Sequence, residues 1–193
     1  MAVAAGEYEI GPETGRLLLR VFREGVAARI GHDLVIEATR WEGHVSLPAD
    51  TDTDTDTDTG TAARPTVTVR IDLGTLEVRE GTGGVKPLSD GDREQIRRNM
   101  RKVLRTDRHP HAAFTSTHVE LHDARATVEG DLTVTGQTHP QRLEIQQRDE
   151  DTLTGATTLV QSRWGIKPYS GFFGALRLRD AVDIEFTVAL SAG

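Results

Sequence analysis

The chain has 193 residues, a net charge of −7 and 36% hydrophobic residues, the size of one domain with a modest core. It contains no cysteine, which excludes disulfides, thiolate metal sites and cysteine nucleophiles. Five acids fall in 50-DTDTDTDTDT-59, and without them the balance is −2, so the composition argues against a basic nucleic-acid binder.

The opening MAVAAGEYEIGP has neither the basic region nor the apolar stretch of a secretory signal, which leads to the expectation of a cytoplasmic protein. No apolar run reaches the roughly 18 residues of a transmembrane segment. The dominant period is two, the mark of half-buried strands. Strand candidates follow one another at 16–23, 26–30, 33–39 and 41–47. The Thr-Asp tract, taken as 50–63, cannot bury apolar surface and is expected to be a disordered acidic loop. Val67, Val69, Ile71 and Leu73 then resume the alternation.

One segment has the helical period. In 90–104, Ile96, Met100, Val103 and Leu104 recur at helix spacing, with Asp90, Asp92 and Glu94 in the first turn and Ser89 or Asp90 as N-cap. Strands return at 113–121, 125–136, 141–148 and 153–162. On 125–136, Ala126, Val128, Leu132 and Val134 share one face. The last stretch, 176–190, puts Leu176, Leu178, Val182, Ile184, Phe186, Val188 and Leu190 on even positions. Many alternating strands with one wet face indicate an all-β, antiparallel sheet closed into a barrel or folded as a sandwich, carrying one inserted amphipathic helix. A single domain over 1–193 accounts for all of it.

Three clusters invite chemistry. The helix region holds Arg93, Arg97, Arg98, Arg101, Lys102, Arg105 and Arg108, seven of 23 basic residues within sixteen positions. They read as a solvated helix face, or as a basic lip that attracts an anionic head group or membrane surface. Without interleaved aromatics for base stacking, nucleic acid is not expected. His118 and His122 share the polar face of their strand, His109 and His111 flank Pro110, and no third ligand gives metal spacing. His32, in 31-GHD-33, reads as a turn, or as a pocket-lining histidine oriented by Asp33. The chain has no GxSxG, no phosphate-cradling loop and no cysteine nucleophile, so a catalyst is not expected; acid–base chemistry through His32 and Asp33 is the minor alternative. Finally, 164-WGIKPYSGFFG-174 holds four of nine aromatic residues, Trp164, Tyr169, Phe172 and Phe173, in what reads as a loop. They gate a tunnel, plug it, or dock a second chain.

Four blocks resemble the YceI-like family of lipocalin-like polyisoprenoid-binding proteins: 7-EYEIGPETGRLLLRV-21, 105-RTDRHPHAAFTSTHVEL-121, 130-GDLTVTGQTHPQRLEI-145 and 158-TLVQSRWGIKPYSGFFGALRLRDAVDIEFTVAL-190. The third is the most specific, and 24-EGVAARIGHDLVIEATRW-41 is similar to a cytoplasmic subgroup. The resemblance implies a lipocalin-like antiparallel β-barrel of about eight strands with a helical excursion near 90–104. It also implies an apolar tunnel for a long isoprenoid, quinone-like or other lipid, and no cofactor.

On that expectation the tunnel wall draws on Leu19, Val21, Ile30 and Val35 from the first strands and on Ile96 and Met100 from the helix. Phe114, Leu132 and Val134 line it from the middle strands, and Ile184 and Phe186 from the last. The aromatic loop adds Trp164, Tyr169, Phe172 and Phe173. Head-group candidates are His32, Arg97, Arg101 and Lys167. The competing reading is a filled barrel whose aromatic loop forms a homodimer or partner surface.

Overall fold

The computed structural model describes residues 3–49 and 64–190. The expected acidic loop at 50–63 lies outside them.

The chain begins with β1 (Gly6–Ile10), turns at Gly11–Thr14, and continues as β2 (Gly15–Glu24). Next come β3 (Asp33–Ala38) and β4 (Trp41–Leu47), then β5 (Thr66–Asp72) and β6 (Leu76–Thr82). Helix α1 (Asp90–Val103) precedes a run of long strands: β7 (His111–His122), β8 (Arg125–Val134), β9 (Gln137–Gln147) and β10 (Thr152–Val160). The two-residue β11 (Ser170–Gly171) and the long β12 (Leu176–Ala189) complete the sheet.

The pairing shows why about eight strands were legible where twelve segments form. β1 pairs with β4 and β2 with β3, while β4 pairs with β5 and β3 with β6. Each of β1/β2, β3/β4 and β5/β6 is therefore one bent strand, and β11 is an appendage to β12. The eight runs form an up-and-down ring, β5 continuing through β7, β8, β9, β10 and β12, and β12 closing on β2 through pairs such as Ile184↔Leu19. Corners at Thr39–Arg40 and Leu73–Thr75 bend the wall. The second is held by Asp72, whose Oδ1 accepts from Gly74 N at 2.9 Å.

One expected strand is absent. Residues 28–30 form a short 3-10 turn, with Val26 almost fully exposed. Gly25, at φ 100, turns the chain out of the sheet before a strand can form. The helix forms where its period places it, at Asp90–Val103. Ser89 is the N-cap in a reciprocal capping box with Asp92.

Inside, the two ends of the ring differ. Toward β1, the interior is packed by Tyr8, Ile10, Val45, Val128, Leu153 and Val188. Phe114 and Phe186 are accommodated by glycines on neighbouring strands: a Cβ at Gly130 would meet Phe114 Cζ at 2.5 Å, and one at Gly155 would meet Phe186 Cζ at 2.1 Å. Toward the other end the wall opens between β6 and β7, which are not paired. Helix α1 lies over that seam and contacts β6.

Candidate functional site: a half-hollow barrel

The unfilled end holds a cavity of about 630 Å³, within the roughly 300–1,000 Å³ range of small-molecule sites. Its wall is assembled by alternation. Leu17, Leu19 and Val21 of β2, Leu34 and Ile36 of β3, and Leu178, Val182 and Ile184 of β12 all point inward. Leu132 and Val134 end β8 on the same wall, and Leu73 and Leu76 come from the corner. The helix closes the seam with Ile96, Met100 and Val103, and carries Asp92, Gln95 and Asn99 along the rim.

Three connections form the mouth: 25–32, 83–89 and 165–175. Ala27 N donates to Ala175 O at 2.9 Å, and the His32 Nε2–H donates to Lys86 O at 2.8 Å. A carbonyl only accepts, so the proton is on Nε2 of His32. This contact requires Gly84, at φ 73, where a Cβ would stand 2.4 Å from His32 Nε2. Arg23 clasps the same corner, donating to Gly31 O at 3.0 Å and Thr82 O at 2.7 Å with Asp33 at 3.8 Å. Asp33 thus holds Arg23, whose backbone N–H it also accepts at 2.9 Å, and His32 is oriented by Lys86 instead. On the helix side, Asp92 accepts from both Oγ and N of Ser89, which keeps its carboxyl below the usual carboxylate range.

The third connection is anchored by Trp164, whose side chain is almost fully buried. Its Nε1–H donates to Leu132 O at 3.0 Å, and its ring stands edge-on to His139 with centroids 5.3 Å apart. Thr135 Oγ1 donates to Trp164 O at 2.7 Å. Thr135 (φ 50) and Gly136 (φ 79) form the two-residue turn between β8 and β9, so this hydroxyl ties the turn to the mouth.

Of the residues expected on the wall, Leu19, Val21, Ile30, Ile96 and Met100 are there, as are Leu132, Val134, Tyr169 and Ile184. His32 lines the mouth beside Lys86. Val35 does not line the cavity: strand alternation turns it away while Leu34 and Ile36 point in. Phe114 and Phe186 face inward but lie in the packed half. Trp164 is a buried anchor and not wall. Lys167 is exposed, and the adjacent Ile166 takes the wall position. Arg97 lies 3.6 Å from Glu94, and Arg101 donates to Gly74 O at 3.2 Å. Both sit roughly 100° around the helix from Ile96 and Met100, off the cavity face. Phe173 is fully exposed, at φ 54, a backbone region costing a non-glycine residue about 1–2 kcal/mol. The side chain of Phe172 lies outside the described ones.

Of the residues missed by the sequence reading, Leu17, Leu178 and Val182 carry the parity of Leu19 and Ile184, whereas Leu34 and Ile36 carry the parity opposite to Val35. Leu73 ends the alternation that begins at Val67 but is not among the expected wall residues, and Leu76 and Leu159 are not singled out, because corners and strand ends break the alternation. His118 and His122 are exposed around Glu120, at 3.2 and 3.7 Å. No group of three metal-ligating side chains occurs among the described residues. Among those residues, no helix is long and apolar enough to cross a membrane.

A curled antiparallel barrel, half packed and half hollow, with its hollow end lined by aliphatic side chains, is the lipocalin-like class of architecture. The profile of the YceI-like domain matches residues 23–190, and the chain belongs to that family. The structure is similar to that of Burkholderia cenocepacia BcnA, with a TM-score of 0.61 and 14% identity over 92% of this chain and 96% of that one. It is also similar to a polyisoprenoid binding domain from Saccharophagus degradans implicated in plant cell wall breakdown. There the TM-score is 0.55 and the identity 11%, over 97% of this chain and all of that one. No curated protein sequence matches the chain.

Proposed function

We propose that the protein is a non-catalytic carrier that holds a long apolar molecule, an isoprenoid or quinone-like chain or another lipid, in the hollow end of its barrel. The observation that carries this reading is the aliphatic wall around about 630 Å³ of unfilled space, in a barrel whose other half is packed. Membership of the YceI-like family and likeness to a polyisoprenoid binding domain support it.

Length decides the ligand. Each buried methylene contributes about 0.8 kcal/mol, so a chain of about ten carbons gains about 8 kcal/mol. That is comparable to the roughly 4–15 kcal/mol lost on association. Only a chain that fills the cavity, about twenty groups each comparable to a water molecule's share of roughly 30 Å³, binds firmly. The polar groups at the mouth then select a small head, with His32 and Lys86 on one side and Gln95 and Asn99 on the other.

The test is displacement of a fluorescent apolar probe by isoprenoid alcohols. An alcohol of about twenty carbons should compete at least tenfold better than one of about ten. Equal competition, or no uptake of the probe, would sink the reading.

A further inference from the structure

The mouth carries a second pattern that holding a ligand does not explain. Each of its three connections carries one large apolar side chain that is almost wholly exposed, Val26 at 95%, Val85 at 81% and Phe173 at 112% relative exposure, and the first also carries the part-exposed Ile30. Each also carries one cation, Arg29, Lys86 and Lys167, and none contains a carboxylate. The contacts from Ala27 to Ala175 and from His32 to Lys86 join the three segments into one rim. Phe173 holds a left-handed backbone conformation while its ring touches solvent, so no packing among the described residues accounts for the arrangement.

Charge is distributed to match. The connections on the hollow side (25–32, 83–110, 135–136 and 161–175) hold eleven Lys and Arg against four Asp and Glu. The described residues of the connections on the packed side (48–49, 64–65, 123–124 and 148–151) hold two against four. Among the described connections the mouth side is therefore strongly positive and the opposite side slightly negative. In a negative surface potential such a molecule turns its mouth toward the surface.

We infer that the rim is a docking surface for an anionic lipid bilayer. Val26, Val85 and Phe173 enter the headgroup region, and Arg29, Lys86 and Lys167 lie against lipid phosphates. Apolar tips ringed by cations are the combination that partitions to an anionic interface. The proposal rests on the carrier reading for its purpose: a docked mouth lets an apolar chain pass between bilayer and cavity without crossing water.

The test is flotation of the purified full chain with phosphatidylcholine vesicles, with and without phosphatidylglycerol, at low and high salt. The protein should float with the anionic vesicles and be released by salt. Val26→Ser with Phe173→Ser should weaken flotation roughly tenfold or more. Arg29→Glu with Lys167→Glu should abolish the preference for phosphatidylglycerol. None of these four side chains lines the cavity, so probe uptake and thermal melting should stay at wild-type values. Flotation unchanged by either double variant overturns the proposal. So does a protein that takes up the apolar probe but never floats, an outcome that leaves the carrier reading intact. Flotation by a protein whose cavity takes no probe supports the docking surface and removes the carrier reading. A dimer that the serine variant dissociates, without flotation, assigns the rim to a second copy and overturns the proposal.

Discussion

Trp164→Ala tests how the mouth is held. The side chain is almost fully buried, and its Nε1–H is bonded to Leu132 O. Truncating a buried aromatic to alanine costs about 3–5 kcal/mol, and leaving the Leu132 carbonyl short of a donor adds about 1 kcal/mol or more. The expected loss is about 4–6 kcal/mol, a large part of the 5–15 kcal/mol that stabilises a typical domain. At about 2–4 °C per kcal/mol for a chain of this size, melting should fall by about 10–20 °C. Trp164→Phe keeps most of the ring and loses only the donor, so it should cost about 1–2 kcal/mol. Urea unfolding followed by far-UV circular dichroism measures both. Ile166 and Tyr169 lie on the wall just beyond this anchor, so the alanine variant should also take up an apolar probe less well. An alanine variant within 1 kcal/mol of wild type, or a phenylalanine variant as damaged as the alanine one, would refute the anchor.

Glu37 bridges three strands on the outer surface, accepting from Arg16 Nε at 2.9 Å and from Arg79, and the two guanidiniums hold its carboxyl below the usual range. Both arginines are substantially exposed, so Glu37→Gln should cost only about 1 kcal/mol in urea unfolding. At Gly130 a Cβ would stand 2.4 Å from the Thr115 carbonyl as well as against Phe114, and backbone cannot swing aside. Gly130→Ala should therefore lose about 1–3 kcal/mol, with the loss partly relieved by Phe114→Leu. His44 is hydrogen-bonded to Glu9 and Glu7, which raises its pKa above the ordinary 6.5, while Ser46, then His44, lower that of Glu7. The His44 contribution is full below the ordinary histidine value and is lost as pH rises through the raised one. The Glu7 contribution is full above the ordinary carboxylate value and is lost as pH falls through the lowered one. Amide exchange on β1 should thus be slowest between those limits, and Glu9→Gln should lower the His44 midpoint seen by NMR.

Much of the barrel was legible because alternation is a local property. Leu19 with Val21 and Leu132 with Val134 each mark a wetted and a buried face without reference to the rest of the chain. Legibility failed where a residue's place depends on distant partners. In 34-LVI-36 three apolar residues run consecutively, and only the pairing of β3 between β2 and β6 decides that Val35 faces out. Phe114 and Phe186 face inward as expected. Their position along the axis is set by Gly130 and Gly155 on adjacent strands, a cross-strand complement invisible in one segment. Arg97 and Arg101 looked close to the site because they neighbour Ile96 and Met100, yet one residue around a helix is a different face. For Phe173 the expectation of a place on the tunnel wall failed because a loop has no period to read.

The carrier reading is tested most directly by native mass spectrometry of the protein purified without detergent from its own host, alongside Leu34→Trp, which puts an indole into the cavity. The account predicts that the wild-type chain retains an apolar molecule of about twenty carbons or more, extractable by organic solvent, and that Leu34→Trp folds but retains little of it. A wild-type protein with no retained lipid that also takes none from supplied vesicles, or a Leu34→Trp variant equally loaded, would contradict it.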